Sequence, residues 1–193
     1  MRNVEILPPN LPVPWDDGAA KHLTGAVLPE LRLESTSGIL ELHEIFKNPS
    51  VLFIYPRAGS PLEPNTNPEL WDATPGARGC TPQSCGFRDY YKEFKAQGIQ
   101  VFGLSIQSPH VQTEFALRNR LPFPILSDYK YELTDSLNLP TFIFEGERLI
   151  RRMVLYVENV SIRKIFYPVF PPDRSAADVL AWLRDHSRQR ISQ

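Results

Sequence analysis

The chain has 193 residues, with 21 basic and 22 acidic side chains, 19 prolines and two cysteines, and this length suits a single domain. Its formal charge of −1 provides no basic field for phosphates, and no apolar run approaches the roughly 18 to 20 residues of a membrane span, so we expect neither nucleic acid nor a membrane as partner. Because the opening residues lack the apolar region of a signal peptide and two cysteines are too few for a secreted disulfide scaffold, we expect a soluble, cytoplasmic protein.

The first part of the chain predicts an arm followed by β structure. Residues 1–26 contain several prolines and no sustained hydrophobic period, which indicates an extended N-terminal arm. Alternating apolar residues in 31–34 and 39–42, separated by the turn-forming residues 35–38, predict a two-stranded ribbon. The apolar, aromatic-rich run 51–55 predicts a strand that is buried on both faces.

A proline-rich segment over residues 57–79 separates this strand from the next helix. It holds four prolines around one large side chain, Trp71, and we interpret it as a long inserted loop, which in a compact domain is usually functional. Thr81 and Pro82 then predict a helix start, with a hydroxyl cap and a proline at the first helical position. Apolar residues at helical spacing continue this helix for about four turns, up to Gly98.

The rest of the chain alternates strand and helix signals. Strands are predicted over 99–106, 122–126, 149–157 and 161–166, and helices after Ser108, over 132–137 and over 175–186. This order predicts one α/β domain over residues 27–187, with a central mixed β-sheet flanked by helices, and a C-terminal tail over 188–193.

The most informative residues are Cys80 and Cys85, at the start of the first long helix. Unpaired backbone N–H groups and the positive end of the helix macrodipole favour a thiolate there, so Cys80 is placed as a nucleophile. In an ideal helix, the Cα atoms of residues i and i+5 lie about 8.7 Å apart, whereas a disulfide needs less than about 7 Å. A bond between the two cysteines therefore requires the first helical turn to unwind.

The cysteine pair is also compatible with roles other than nucleophilic chemistry. Both side chains could be buried apolar groups that have no chemical role. A zinc site would need two further ligands, and the four histidines are scattered without ligand spacing, so we expect no metal and no cofactor. The cations that are candidates to stabilise a thiolate are Arg78, Arg88, Arg151 and Arg152.

These residues resemble the active-site string of the peroxiredoxins, most closely the bacterioferritin-comigratory (Q-type) group. Tyr55 and Pro56 match the beginning of that string, and the residues CTPQSCGFRD at 80–89 match its end. The segment 124–128 and Arg152 follow in the order of the family's later features. The resemblance covers roughly residues 27 to 185.

The resemblance implies a thioredoxin-like fold and a thiol peroxidase that reduces hydrogen peroxide or organic hydroperoxides. Cys80 would be the peroxidatic cysteine, which becomes a sulfenic acid. Cys85 would be the resolving cysteine, which closes an intramolecular disulfide that thioredoxin or a similar dithiol reduces. Arg152 would hold the thiolate and the developing charge on oxygen, and the protein would be a monomer or a weak homodimer.

The sequence departs from the family string directly beside the proposed nucleophile. The segment 57–79 is about 17 residues longer than the corresponding part of that string. Ala77 stands where the family has a threonine three residues before the cysteine. Thr74 begins a displaced Thr-Pro-Gly segment, and the resemblance assigns the catalytic role of the family's threonine to it. We hypothesise that the insertion, stiffened by its prolines, shapes peroxide access together with Trp71.

Two further functions remain as alternatives. A general thiol–disulfide oxidoreductase has the same fold, although the chain lacks a Cys-x-x-Cys pair. A redox-sensing or binding module without enzymatic activity would use a disulfide to change the shape of the loop 57–79 for a partner.

Overall fold

The computed structural model describes residues 7–191, and their side chains up to His186. The α-helices are α1 (Leu42–Ile45), α2 (Pro68–Ala73), α3 (Cys80–Asp89), α4 (Tyr91–Ala96), α5 (Pro109–Arg118), α6 (Glu132–Ser136) and α7 (Ser175–Ile191). The strands are β1 (Arg32–Ser35), β2 (Gly38–Glu41), β3 (Ser50–Ile54), β4 (Gln100–Ser105), β5 (Ile125–Ser127), β6 (Thr141–Phe144), β7 (Glu147–Ile150), β8 (Met153–Glu158) and β9 (Ser161–Phe166). None of these helices is both long and apolar enough to cross a membrane.

Seven strands form one mixed sheet in the order β2-β1-β5-β4-β3-β8-β9. The central strands β3, β4 and β5 are parallel, whereas β1 and β8 run antiparallel to their neighbours β5 and β3. Strands β6 and β7 pair separately as a two-stranded sheet. The predicted α/β fold with a central mixed sheet flanked by helices is therefore confirmed.

The sheet separates two hydrophobic cores, and the second core positions α3. Alternate residues of β3 point to opposite faces, so that Leu52 contributes to one core and Phe53 to the other, which also contains Cys80. The ring of Phe53 stacks on that of Phe87 in α3 at 4.5 Å. Gly103 makes this packing possible, because a Cβ atom there would lie 2.5 Å from Ile125 Cδ1 and 2.8 Å from Phe53 Cζ.

The prediction of a single helix from Thr81 to Gly98 is wrong at its start and in its middle. The helix begins at Cys80, because Gly79 takes a left-handed conformation with φ of 108° and no side chain caps the helix. A Cβ atom at residue 79 would lie 2.3 Å from Pro172 Cγ, so only glycine fits. Tyr90, with φ of −93° and ψ of 10°, then separates α3 from α4.

The prediction of a single strand over 149–157 is also wrong. These residues belong to two strands, β7 in the two-stranded sheet and β8 in the seven-stranded sheet. Strand β7 pairs with β6, which the sequence did not predict, and β8 pairs with β3 and β9. The break falls at Arg151 and Arg152, whose side chains donate to carbonyl groups outside the main sheet. The interruption of the strand therefore frees Arg152 to reach the start of α3.

The predicted loop and the two predicted chain ends contain more structure than expected. Within 57–79, Pro68 opens α2, and the Asn67 side chain caps it by accepting a hydrogen bond from the Leu70 amide at 3.2 Å. In the predicted arm, Leu23 is buried in the first core, and residues 1–6 lie outside the described residues. The predicted tail 188–193 is helical up to Ile191, because α7 continues through it, and residues 192–193 lie outside the described part.

Candidate active site

Cys80 is the first residue of α3 and is almost completely buried, with 4% of its surface exposed. Its Sγ atom receives a hydrogen bond from Arg152 Nη2 at 3.2 Å, and the thiol lies 3.7 Å from the Ala77 carbonyl oxygen that accepts from it. Cys80 and Cys85 are both free thiols. The site therefore holds a reduced cysteine against a guanidinium group at a helix N-terminus, an arrangement that stabilises a thiolate.

Arg152 is the buried cation of this site, and it binds more than the sulfur. Its Nη2 atom donates to the carbonyl oxygens of Ala77 at 2.9 Å and Arg78 at 3.2 Å, and Nε donates to the Gly76 carbonyl at 3.3 Å. Three consecutive carbonyl groups before Cys80 thus depend on one side chain. Arg152 therefore both contacts the nucleophile and fixes the backbone that leads into α3.

Gln83 holds Arg152 from the opposite side, and the sequence did not predict this role. Its Oε1 atom accepts from Arg152 Nη1 at 2.6 Å, and its Nε2 atom donates to Ser175 Oγ at 3.5 Å. Gln83 is three residues after Cys80, which places both side chains on one face of α3. The spacing of three residues from Cys80 was the one signal in the sequence, since the complete burial of Gln83 appears only in the structure.

Cys85 lies further along α3, in a separate buried environment. Its Sγ atom donates to Asn119 Oδ1 at 3.8 Å, and the Asn119 side-chain amide in turn donates to the Phe115 carbonyl at 2.8 Å. Between the cysteines, the Ser84 hydroxyl donates to the Cys80 carbonyl at 2.9 Å and reinforces the helical turn. Because both cysteines belong to the same continuous helix, a bond between them requires this turn to open.

A cleft of about 310 Å³ opens beside Cys80. Thr81 and Pro82 line it on the side of α3, and the inserted segment supplies the other side; the further lining residues are Arg57, Gly59, Asn65, Pro68, Trp71, Arg78 and Gly79. The insertion thus forms one wall of the cleft, and Trp71 lines the cleft, as the hypothesis that it shapes peroxide access requires.

The remaining candidate cations are distributed around the site without touching the sulfur. Arg78 lines the cleft and pairs with Asp72 at 3.2 Å. Arg88 donates to the Asn119 carbonyl at 2.9 Å, and Arg151 donates to the Thr141 carbonyl at 3.1 Å. Arg152 is the candidate that the structure brings to Cys80.

Tyr55 packs in the same buried cluster as Cys80. Burial raises the pKa of its phenol, and the proximity of Cys80 raises that pKa further. The Tyr55 hydroxyl therefore stays protonated and adds no negative charge to the site at neutral pH.

Thr74, the residue to which the family role was carried over, is not brought to Cys80. Its hydroxyl donates to the Leu70 carbonyl at 2.8 Å at the end of α2, and Thr74 is not among the residues that line the cleft. The insertion has displaced the Thr-Pro-Gly segment, and Ala77, the residue in strict register, has no hydroxyl.

We therefore expect Thr74→Val to change the rate of peroxide reduction by less than about 2-fold while removing one hydrogen bond worth about 1 kcal/mol of stability. Steady-state kinetics and denaturant unfolding measure the two effects separately. A loss of activity of more than about 10-fold at unchanged stability would contradict the placement of Thr74.

Comparison with known proteins decides the family. The family described as Redoxin matches residues 23–180. The chloroplastic peroxiredoxin Q of Gentiana triflora is 30% identical over 183 residues, which cover 92% of this chain and 76% of that protein. The chain belongs to the peroxiredoxins. It is thus a thiol peroxidase, an oxidoreductase that acts on peroxides, of the Q-type group.

Further relatives agree with this assignment. Peroxiredoxin bcp1 of Schizosaccharomyces pombe is 34% identical over 115 residues, 58% of this chain and 50% of that protein. The crystal structure of peroxidoxin BcpB from Mycobacterium tuberculosis superposes with a TM-score of 0.66 at 26% identity, over 84% of this chain and 96% of the other. A cysteine-to-serine mutant of the PrxQ from Xylella fastidiosa, at 19% identity, has a TM-score of 0.67 over 85% and 96% of the two chains. The thioredoxin-like fold is confirmed.

Proposed function

We propose that this peroxiredoxin reduces hydrogen peroxide and organic hydroperoxides by a two-cysteine cycle within one chain. Cys80 is the peroxidatic residue and Cys85 the resolving residue. The observation that carries the proposal is the hydrogen bond of 3.2 Å between Arg152 Nη2 and Cys80 Sγ, at the start of the helix that also contains Cys85.

In the first step, the Cys80 thiolate attacks the terminal oxygen of the hydroperoxide. An S–O bond forms while the O–O bond breaks, and the leaving alkoxide or hydroxide takes a proton and departs as an alcohol or water. Cys80 becomes a sulfenic acid, oxidised by two electrons. Arg152 stabilises the thiolate before the step and the negative charge that develops on oxygen during it.

In the second step, the Cys85 sulfur attacks the sulfenic sulfur of Cys80. An S–S bond forms, the S–O bond breaks, and the oxygen leaves as water. The Ser84–Cys80 and Cys85–Asn119 hydrogen bonds must break first, because the helical turn between the cysteines has to open. Both cysteines belong to one chain, so the cycle needs no partner subunit and suits a monomer or a weak homodimer.

In the third step, thioredoxin or a similar dithiol reduces the disulfide. One thiolate of the dithiol attacks the disulfide and forms a mixed disulfide with the protein. The second thiol of the dithiol then attacks this mixed disulfide, which releases the protein with both cysteines reduced and leaves the dithiol oxidised to a disulfide.

We expect Cys85→Ser to leave the first oxidation of Cys80 within about 3-fold of the parent rate and to lower thioredoxin-dependent turnover by at least about 10-fold, since the sulfenic acid then has no internal partner. Stopped-flow fluorescence measures the first step, and NADPH consumption with thioredoxin and thioredoxin reductase measures turnover. Because the first step does not need Cys85, its unchanged stopped-flow rate is the internal control for packing in this helix. Unchanged turnover of Cys85→Ser would contradict the assignment of the resolving residue.

A further inference from the structure

The cleft beside Cys80 is larger than hydrogen peroxide requires. Hydrogen peroxide has two heavy atoms, whereas about 310 Å³ lies at the lower end of the range of small-molecule binding sites. Asn65, Pro68 and Trp71, all from the inserted segment, form the wall that faces the start of α3. The insertion therefore encloses space for an organic group next to the reactive sulfur.

Trp71 lines this wall with the 5% of its surface that is exposed, and its neighbours hold the buried ring in place. Its ring packs edge-to-face against Phe144 of β6 at 4.9 Å, and the guanidinium group of Arg57 lies over it at 5.1 Å. Arg57 also lies over the Phe144 ring at 5.5 Å and pairs with Glu147 of β7 at 2.9 Å. The sheet of β6 and β7 thus fixes the position of the insertion over the cleft.

Arg57 and Arg78 give the same cleft two cations. Each guanidinium group has five N–H donors, and in the described part of the chain each donates one hydrogen bond, to Glu147 and to Asp72 respectively. Neither of these two acids lines the cleft, and the lining residues contain no carboxylate. Two arginines with donors to spare therefore face a space whose other wall holds the nucleophile.

We propose that the cleft binds hydroperoxides whose organic part is apolar and carries a carboxylate. The organic part packs against Trp71 and Pro68, the carboxylate pairs with Arg57 and Arg78, and the peroxide end reaches Cys80. Arginine suits this role because its planar fork matches the two oxygens of a carboxylate. The inference rests on the proposed function, because the bound hydroperoxide has to react at Cys80.

Binding is tested without turnover in the full-length Cys80→Ser protein. The probes are 4-isopropylbenzoate and the neutral, equally shaped 4-isopropylbenzamide, and calorimetry measures their dissociation constants. We expect the carboxylate to bind about 10-fold or more tightly than the amide, and Arg57→Gln or Arg78→Gln to remove most of this preference. Arg163→Gln, an exposed arginine of β9, is the matched control and should keep it. Equal binding of the two probes would overturn the proposal.

Turnover separates this inference from the proposed function. The substrates are hydrogen peroxide, cumene hydroperoxide and the 4-carboxylate of cumene hydroperoxide. We expect Arg57→Gln and Arg78→Gln to lower the ratio of kcat/KM for the carboxylate over the neutral hydroperoxide by about 10-fold, whereas Arg163→Gln should leave both this ratio and hydrogen peroxide reduction unchanged. This ratio cancels any general loosening of the insertion. If the two arginine variants keep this ratio and the parent reduces hydrogen peroxide, the inference is overturned and the proposed function stands. If the parent reduces no peroxide, the proposed function is overturned, and the binding test alone decides the inference.

Discussion

Cys80→Ser is expected to lower the rate of peroxide reduction by at least about 1,000-fold, because a serine hydroxyl stays protonated at neutral pH and cannot replace a thiolate as nucleophile. The substituted side chain is nearly isosteric, and Arg152 Nη2 and the Ala77 carbonyl provide a donor and an acceptor for its hydroxyl, so stability should change little. Stopped-flow consumption of peroxide in a single turnover of the reduced protein measures the effect on this first oxidation. Cys85→Ser is the matched control, since it removes a thiol from the same helix and should retain the first oxidation. A Cys80→Ser protein that matches the parent rate would end the assignment of the nucleophile.

Arg152→Gln is expected to lower the second-order rate constant for oxidation of Cys80 by about 100-fold or more, because it removes the cation that contacts the sulfur and that, in the proposed first step, stabilises the charge on oxygen. It should also lower the free energy of unfolding by about 3 kcal/mol, since the carbonyl groups of residues 76–78 and Gln83 Oε1 lose their buried donor. Stopped-flow oxidation and urea unfolding measure the two effects.

The neighbouring Arg151 provides the control for this prediction. Its guanidinium group donates to the Thr141 carbonyl and not to the cysteine, so Arg151→Gln should keep the oxidation rate within about 3-fold of the parent. If Arg152→Gln were oxidised as fast as Arg151→Gln, the guanidinium at Cys80 would be structural only.

The sequence placed Cys80 at the start of a helix because short-range signals determine where helices begin. Pro82 lies two residues after Cys80, and the start predicted at Thr81 differs from the observed start by one residue, although no side chain caps the helix. The resemblance singled out Arg152 from four candidate arginines; it lies 72 residues from Cys80 in the sequence, and no local pattern connects the two. The helix start thus followed from a local pattern, and Arg152 followed from the order of the family's features along the chain.

The features that were missed depend on contacts between distant segments. Residues 149–157 are apolar except for Arg151 and Arg152, where the strand is interrupted and the Arg152 guanidinium binds carbonyl groups that precede α3. Gln83 has a function only once Arg152 is placed. Thr74 was assigned from its Thr-Pro-Gly segment, although Ala77 stands in register with the family's threonine, and the structure places Thr74 at the end of α2.

The insertion also shows why composition alone was insufficient. Its prolines suggested a stiff loop, whereas Pro68 opens a helix that buries Trp71 against the sheet of β6 and β7. Strand β6 of that sheet was not predicted, so the contacts of the sheet with Arg57 and Trp71 could not be inferred from the sequence. The hypothesis that the insertion shapes peroxide access gains a wall, an aromatic surface and two cations from the structure.

The central claim is that Cys80 and Cys85 form an internal disulfide after Cys80 reacts with a peroxide. Intact-mass spectrometry of the reduced protein after one equivalent of hydrogen peroxide tests it directly, because the chain has no other cysteine. The account predicts a mass lower by about 2 Da, the loss of both free thiols, and a peptide in which Cys80 is joined to Cys85. A stable sulfenic or sulfinic acid on Cys80 beside a free Cys85 thiol would contradict it.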